Sequence, residues 1–162
     1  MVDLLQLSSH LPEVEIDSGH EIIREGERTG AIWILLSGEV RVRRGTTVID
    51  WIDRPGAVIG EMAVLLDTAA TASVEATEPS RLRHAANGEE FLADPMVTRL
   101  VAVGLADRLN LVTSYLVDLQ DQYDDAPEMD IVREMLKRLM DRQTRAFTPP
   151  GSIQDPYPDE SG

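Results

Sequence analysis

Cysteine is absent from this chain of 162 residues, which excludes disulfide frameworks, thiolate metal sites and cysteine nucleophiles. Basic residues are scarce: 15 lysines and arginines stand against 29 acidic residues, and the net charge is -14. Such a surface repels phosphate backbones, so nucleic acid is not an expected partner. We identify neither a secretion signal nor an apolar segment of the roughly 20 residues that a membrane helix needs. The sequence therefore predicts a cytoplasmic protein without a membrane partner.

Catalytic and metal-binding patterns are also missing. His10, His20 and His84 do not have the spacing of metal ligands. The chain contains neither a Gly-x-Ser-x-Gly elbow nor a phosphate loop of the Gly-x-x-x-x-Gly-Lys type. The paired carboxylates Glu89 and Glu90 lie at an expected helix start, where the helix dipole accounts for them. We therefore expect no catalytic residues, no metal and no enzymatic activity.

The N-terminal half predicts a β domain. From about Ser18 to His84, short apolar runs are separated by turns that contain glycine. Val40–Arg43 alternates apolar and basic residues, as a half-buried strand does. Many short strands with regular turns are typical of an antiparallel β-roll or jelly roll. Trp33 and Trp51 fall within such runs, and we expect both to pack in the core or beside a pocket.

The C-terminal half predicts helices, so the fold class is α+β. Asp94 can cap a helix that begins at Pro95 and runs to about Tyr123. Its apolar residues recur at alternating intervals of three and four, which is a heptad pattern that favours a homodimer. The interface residues predicted by this pattern are Leu105, Leu109, Val112, Leu116, Leu119 and Tyr123. The alternative is an amphipathic helix packed on its own core.

Aspartates crowd the end of this helix and oppose its dipole, so it should break near Asp124. We interpret them as a solvated acidic end, since they lack the spacing of a calcium loop. A second helix is predicted from Glu128 to Arg145, before an acidic tail rich in proline. The predicted divisions are a β domain at 1–94, a dimerisation helix at 95–125, a further helix at 126–147 and a flexible tail at 148–162.

One motif suggests an anion site. Pro55–Leu66 contains Gly60 and Glu61 before a short helix, and Ala70–Ala76 then forms a run of small residues. Small residues at the start of a helix allow backbone N–H groups to approach an anion. A carboxylate nearby can accept hydrogen bonds from sugar hydroxyls. The combination suits a sugar phosphate.

The same segment resembles the cyclic-nucleotide-binding domain family, which includes catabolite activator proteins and the regulatory subunits of protein kinase A. The likeness extends to Glu25-Gly26, to Ser37–Val42 and to Glu89-Glu90-Phe91, and it covers about Leu5 to Tyr123. The resemblance implies a β-roll of eight strands, a short phosphate-binding helix and a long dimerisation helix.

The resemblance also implies roles for individual residues. Glu61, after Gly60, would contact the ribose 2′-hydroxyl. By the same resemblance, the phosphate would be contacted by the backbone amides of Met62, Ala63, Thr71 and Ala72. Ser73 would lie beside them. Thr113 resembles a residue of the family that touches the base.

The chain departs from the family at Ala70, where the family has an arginine that pairs with the phosphate. Losing such a contact costs about 2–5 kcal/mol of binding free energy. Arg81 and Arg83, the nearest strand arginines, could replace it in space. No DNA-reading helices are expected after the long helix.

We therefore predict a dimeric regulatory domain that does not bind cyclic AMP or cyclic GMP in the usual way and has no cofactor. It would act by contacting an unknown protein partner. The alternative is a sensor of a cyclic nucleotide or another small anion that uses backbone amides and Glu61. A third possibility is an interaction module that docks through 129–147.

Overall fold

The computed structural model describes residues 1–123 and 129–144, and side chains as far as residue 139. It divides into two compact units, Met1–Val103 and Gly104–Gly162. The predicted break near Asp124 and the acidic tail lie outside the described residues. The boundary between the units falls inside the long helix, whose first turns bury Val97 and Val101 in the first unit. The predicted domain limits otherwise stay predictions.

Eight strands lie in the described part of the chain, and they confirm the predicted antiparallel β-roll. The strands are β1 Glu13–Ile16, β2 Glu21–Ile23, β3 Ile32–Ser37, β4 Val40–Arg44, β5 Thr47–Ile52, β6 Val58–Ile59, β7 Ser73–Ala76 and β8 Ser80–Ala85. One sheet has the order β1-β8-β3-β6, and the other has the order β2-β7-β4-β5. Leu35 and Leu82 of the first sheet join Val40 and Val74 of the second in one apolar core.

The helices within the described residues are α1 Leu4–Leu7, α2 Glu61–Leu65, α3 Gly88–Leu92, α4 Pro95–Gln122 and α5 Met129–Thr144. Asp94 caps α4 as expected, because its Oδ1 accepts a hydrogen bond from the Met96 N–H at 2.8 Å. Asn87 caps α3 by accepting from the Glu90 N–H at 3.1 Å. The observed starts of α3 and α4 thus follow from local side-chain chemistry.

The apolar character of α4 corrects one expectation from the sequence. An 18-residue window of α4 has a mean hydropathy of 1.4, and 6% of it is buried. By length and composition, this helix could cross a membrane. The window contains few charged residues, but polar residues interrupt it, so α4 has no single uninterrupted apolar stretch of about 20 residues. The finding is weak evidence for a membrane span, because long helices of soluble proteins share these properties.

Candidate functional site

Gly60 sets the start of α2 and thereby the position of Glu61. Its backbone is left-handed, with φ of 93°. A Cβ at this position would lie 2.8 Å from the Ala31 carbonyl oxygen and 3.5 Å from the Trp33 ring. Only glycine accepts both this conformation and this close approach. The turn at Gly60 therefore ends β6 and begins α2 close to Ala31 and Trp33.

Glu61 is buried, with only 5% of its surface exposed. The next residue, Met62, is exposed, and Ala63 is half-buried. Glutamate is seldom buried in a protein without polar contacts. The structure thus places the predicted sugar-binding carboxylate inside the domain, while the first turn of α2 carries Met62 to the surface.

Arg28 forms two hydrogen bonds with Asp67, in the segment that follows α2. Its guanidinium donates to the Asp67 Oδ1 at 3.2 Å and to the Asp67 carbonyl oxygen at 2.9 Å. Asp67 has φ of 50° and is the only described residue other than glycine in the left-handed region. A polar cavity of about 400 Å³ lies here, lined in part by Arg28, Thr29, Asp67 and Asn87. Ala63 is the one predicted ligand residue on its wall.

Ala70 is held by its backbone. Its N–H donates to the Glu27 carbonyl oxygen at 2.9 Å, and its own carbonyl oxygen accepts from the Gly26 N–H at 2.8 Å. The methyl group packs against the apolar core. The position that carries a phosphate-binding arginine in the family therefore presents a small apolar group in a well-defined turn.

The residues after Ala70 have different environments. Thr71 is exposed and Ala72 is half-buried. Ser73 is buried, and its Oγ accepts from the Glu25 N–H at 2.9 Å. Ser73 therefore holds the loop after β2 in place, and its predicted role in ligand binding has a structural alternative.

Arg44 lies at this site, although the sequence analysis did not identify it. It ends β4, and its Nε donates to the Thr71 carbonyl oxygen at 2.9 Å. Strand pairing brings it there, because β4 lies beside β7 with Arg43 opposite Ser73. The only sequence signal was the run of arginines in β4, which does not reveal the neighbouring strand.

The two arginines that could have replaced the missing cation are engaged elsewhere. Arg81 pairs with Glu13 across β1 and β8. Arg83 donates to the Leu5 carbonyl oxygen of α1 and approaches Glu13 at 3.6 Å. Both side chains therefore face α1 and β1. The structure gives no support to their substitution for an arginine at position 70.

The two tryptophans differ in environment. Trp33 is buried and stacks on His84, with ring centroids 5.0 Å apart, as a core position should. Trp51 is 56% exposed, so it does not pack in the core, which was one of the two environments predicted for it. It lies on β5, an edge strand, opposite Arg41 on the outer face of the sheet. Alternation along the strand did not reveal which face was inside.

Thr113 and the predicted dimer-interface residues of α4 all lie in the second unit. Thr113 donates from its hydroxyl to the Leu109 carbonyl oxygen at 2.8 Å, a bond internal to the helix. Among the predicted interface residues, Leu109, Val112 and Tyr123 are exposed. The structure describes a single chain, so the dimer stays a prediction.

The charged groups around Glu75 on the second sheet are paired. The Glu75 Oε1 accepts a hydrogen bond from Arg41, and its Oε2 lies 3.6 Å from the Arg43 Nε. The hydrogen bond from Arg41 lowers the pKa of the Glu75 carboxyl, and burial opposes that effect in part. No group of three or more His, Asp or Glu side chains suits a metal ion in residues 1–123 and 129–139.

Comparison with known proteins agrees with this geometry. The sequence profile of the cyclic nucleotide-binding domain family matches residues 13–92. A stretch of 73 residues, 45% of this chain, is 32% identical to the cGMP-dependent protein kinase egl-4 of Caenorhabditis elegans and spans 9% of that kinase.

Two solved structures share the fold. The catabolite activator protein of Thermus thermophilus is 20% identical, with a TM-score of 0.57 over 88% of this chain and 84% of its own. PKAR CBD2, solved with Sp-2Cl-cAMPS bound, is 20% identical, with a TM-score of 0.57 over 70% of this chain and 75% of its own. Residues 13–92, and with them the β-roll that carries α2, therefore belong to the cyclic nucleotide-binding domain family.

Proposed function

We propose that this protein is a non-enzymatic, cytoplasmic regulatory domain that pairs with a second copy through α4 and acts by contacting another protein. The apolar residues of α4 support the pairing, because Leu109, Val112 and Tyr123 lie exposed on one heptad seam. A second copy would cover this seam, as in a coiled coil. A net charge of -14 favours protein contact over nucleic acid as the output.

We also propose that the domain does not hold a cyclic phosphate in the family's usual way. The observation that carries this part is Ala70, whose methyl group packs against the core where a cation would be needed. Without a charge-assisted contact, the binding free energy falls by about 2–5 kcal/mol. Each 1.4 kcal/mol is about a tenfold loss of affinity.

The Ala70→Arg variant tests the ligand site. It should bind cyclic AMP or cyclic GMP at least about tenfold more tightly than the parent protein does, measured by titration calorimetry. Ala69→Arg is the matched control, since Ala69 is also half-buried and the added charge is the same. Tight, micromolar binding by the unmodified protein, unchanged in Ala70→Arg, would contradict the proposal.

Val112→Asp tests the pairing. Val112 is 52% exposed on the seam, and Val117 is 41% exposed on the opposite side of α4. Val112→Asp should shift the protein from dimer to monomer in analytical ultracentrifugation, while Val117→Asp leaves the dimer intact. Circular dichroism checks that both variants keep their helix. An unmodified protein that sediments as a monomer at micromolar concentration would reject the pairing.

A sensor of a small anion is the second candidate function. It would use Glu61 together with the backbone amides of residues 62–63 and 71–72. The guanidinium of Arg44 beside Thr71 favours it, because it places a positive charge next to those amides' segment. A ligand at 100 times its dissociation constant should raise the free energy of unfolding by about 2.7 kcal/mol. A thermal-shift screen of nucleotides and sugar phosphates measures that gain.

A further inference from the structure

We propose that Arg44 takes the place of the cation that is missing at position 70 and binds a phosphate group at Thr71 and Ala72. The proposal rests on the second candidate function, that of an anion sensor. The cation then comes from β4, a neighbouring strand, and not from the segment between α2 and β7 itself.

Arg44 differs from the other arginines of the second sheet in having no carboxylate partner. Arg41 pairs with Glu75, and Arg43 pairs with Glu21 at 3.0 Å. Within residues 1–123 and 129–139, no carboxylate lies within 4.0 Å of the Arg44 guanidinium. Its charge is therefore available to a ligand.

The contact with Thr71 orients that charge. A guanidinium has five N–H donors in a planar fork, and Arg44 uses its Nε–H on the Thr71 carbonyl oxygen. The Nη1 and Nη2 groups of Arg44 can then donate bidentate hydrogen bonds to a phosphate. Thr71 and Ala72 precede β7, so their backbone amides lie outside its ladder.

The turn after β4 holds Arg44 in register with this segment. The Gly45 N–H donates to the Glu25 Oε2 at 2.8 Å, and the Glu25 N–H donates to the Ser73 Oγ at 2.9 Å. These two bonds link the turn to β7 through the loop after β2. Glu25 also brings a negative charge close to the site. We therefore expect affinity for phosphate in about the millimolar range.

The test is a titration of the full chain followed by ¹H–¹⁵N spectra at constant ionic strength. The probes are cyclic AMP, cyclic GMP, 5′-AMP and inorganic phosphate, each up to about 10 mM. Saturable shifts are expected at the Arg44 Nε–H and at the Thr71 and Ala72 amides. Response to the cyclic nucleotides alone identifies a phosphodiester ligand, and response to all four probes identifies the phosphate group itself.

Substitution of Arg44 measures how much this side chain contributes to phosphate binding, apart from the rest of the site. Arg44→Ala should weaken the binding of every responsive probe about tenfold or more, and Arg44→Lys should weaken it less. Arg54→Ala is the control, because Arg54 is also exposed and its loss changes the net charge by the same amount. Glu25→Gln should tighten binding by removing a nearby negative charge.

The outcomes distinguish the two levels of the proposal. If the unmodified protein binds a probe and Arg44→Ala binds it equally well, the sensor function stands and the role of Arg44 is wrong. If no probe shifts these resonances in the unmodified protein, both the sensor function and the role of Arg44 are wrong.

Discussion

At the scale of single residues, Glu75 illustrates how strand pairing tunes a charge. It lies on β7 with only 14% of its side chain exposed, and Arg41 of β4 stands opposite in the register. The hydrogen bond from Arg41 lowers the pKa of Glu75 relative to an unfolded glutamate. The ionised carboxylate therefore favours the folded state at neutral pH, and protonation removes that contribution.

We predict that Glu75→Gln destabilises the protein at pH 7 and that the difference disappears in acid. Because the folded pKa lies below the unfolded one, the contribution is complete above the unfolded value. It is lost as the pH falls from the unfolded pKa through the lower, folded pKa. Thermal unfolding of both proteins across this range measures the effect. Glu78→Gln, which alters an exposed carboxylate, is the control. A gap that persists unchanged at low pH would refute the explanation.

Residue-level predictions succeeded where the cause was local. Asp94 lies two residues before the amide that it caps, so its role could be read from adjacent letters. Arg44 is 27 positions away from Thr71, and their contact depends on β4 lying beside β7. No local pattern specifies which strands become neighbours, so the contact between Arg44 and Thr71 could not be predicted from the sequence.

At the scale of elements, the turn between β3 and β4 depends on Gly38. This residue has φ of 95°, and a Cβ there would lie 2.6 Å from the Ser80 Cα. Gly45, in the turn between β4 and β5, also has a positive φ, of 55°, but its Cβ would meet nothing within 4 Å. Both glycines thus have a positive φ, and they differ in crowding.

We predict that Gly38→Ala costs about 3 kcal/mol or more of unfolding free energy, since strain adds to a collision with backbone atoms. Gly45→Ala should cost only about 1 kcal/mol. Urea denaturation of the two variants gives the comparison. Equal losses in both variants would show that crowding by Ser80 has no effect on stability.

Long elements were predicted better than short ones. The helix predicted from Pro95 to about Tyr123 is observed at Pro95–Gln122, because a pattern of that length repeats many times. Neither α1 nor β1 was predicted. The four residues of β1 form a strand only because β8 pairs with them, and that partner lies far along the chain. Its sequence does alternate polar and apolar residues, but four residues are too few to identify a strand without knowing its partner.

At the scale of the whole molecule, charge and apolar surface oppose each other in self-association. Each copy carries a net charge of -14, so two copies repel. Exposed apolar residues on α4, including Leu109 and Val112, favour contact. Salt screens the repulsion and leaves apolar contact largely intact.

We therefore predict that added salt strengthens the dimer. Raising sodium chloride from about 50 mM to about 500 mM shortens the Debye length from about 14 Å to about 4 Å. The dissociation constant of the dimer should fall several-fold, as measured by sedimentation equilibrium. A dimer that weakens with salt would point to an ionic interface. Flotation of the protein with neutral lipid vesicles would instead assign α4 to a membrane.

The backbone of residue 70 is bonded on both sides, to Glu27 and to Gly26, whatever side chain it carries. The conformation of this loop therefore does not depend on the side chain at position 70, which determines the charge at the site. A single replacement at that point can therefore add or remove a charge while the backbone hydrogen bonds of the loop stay the same.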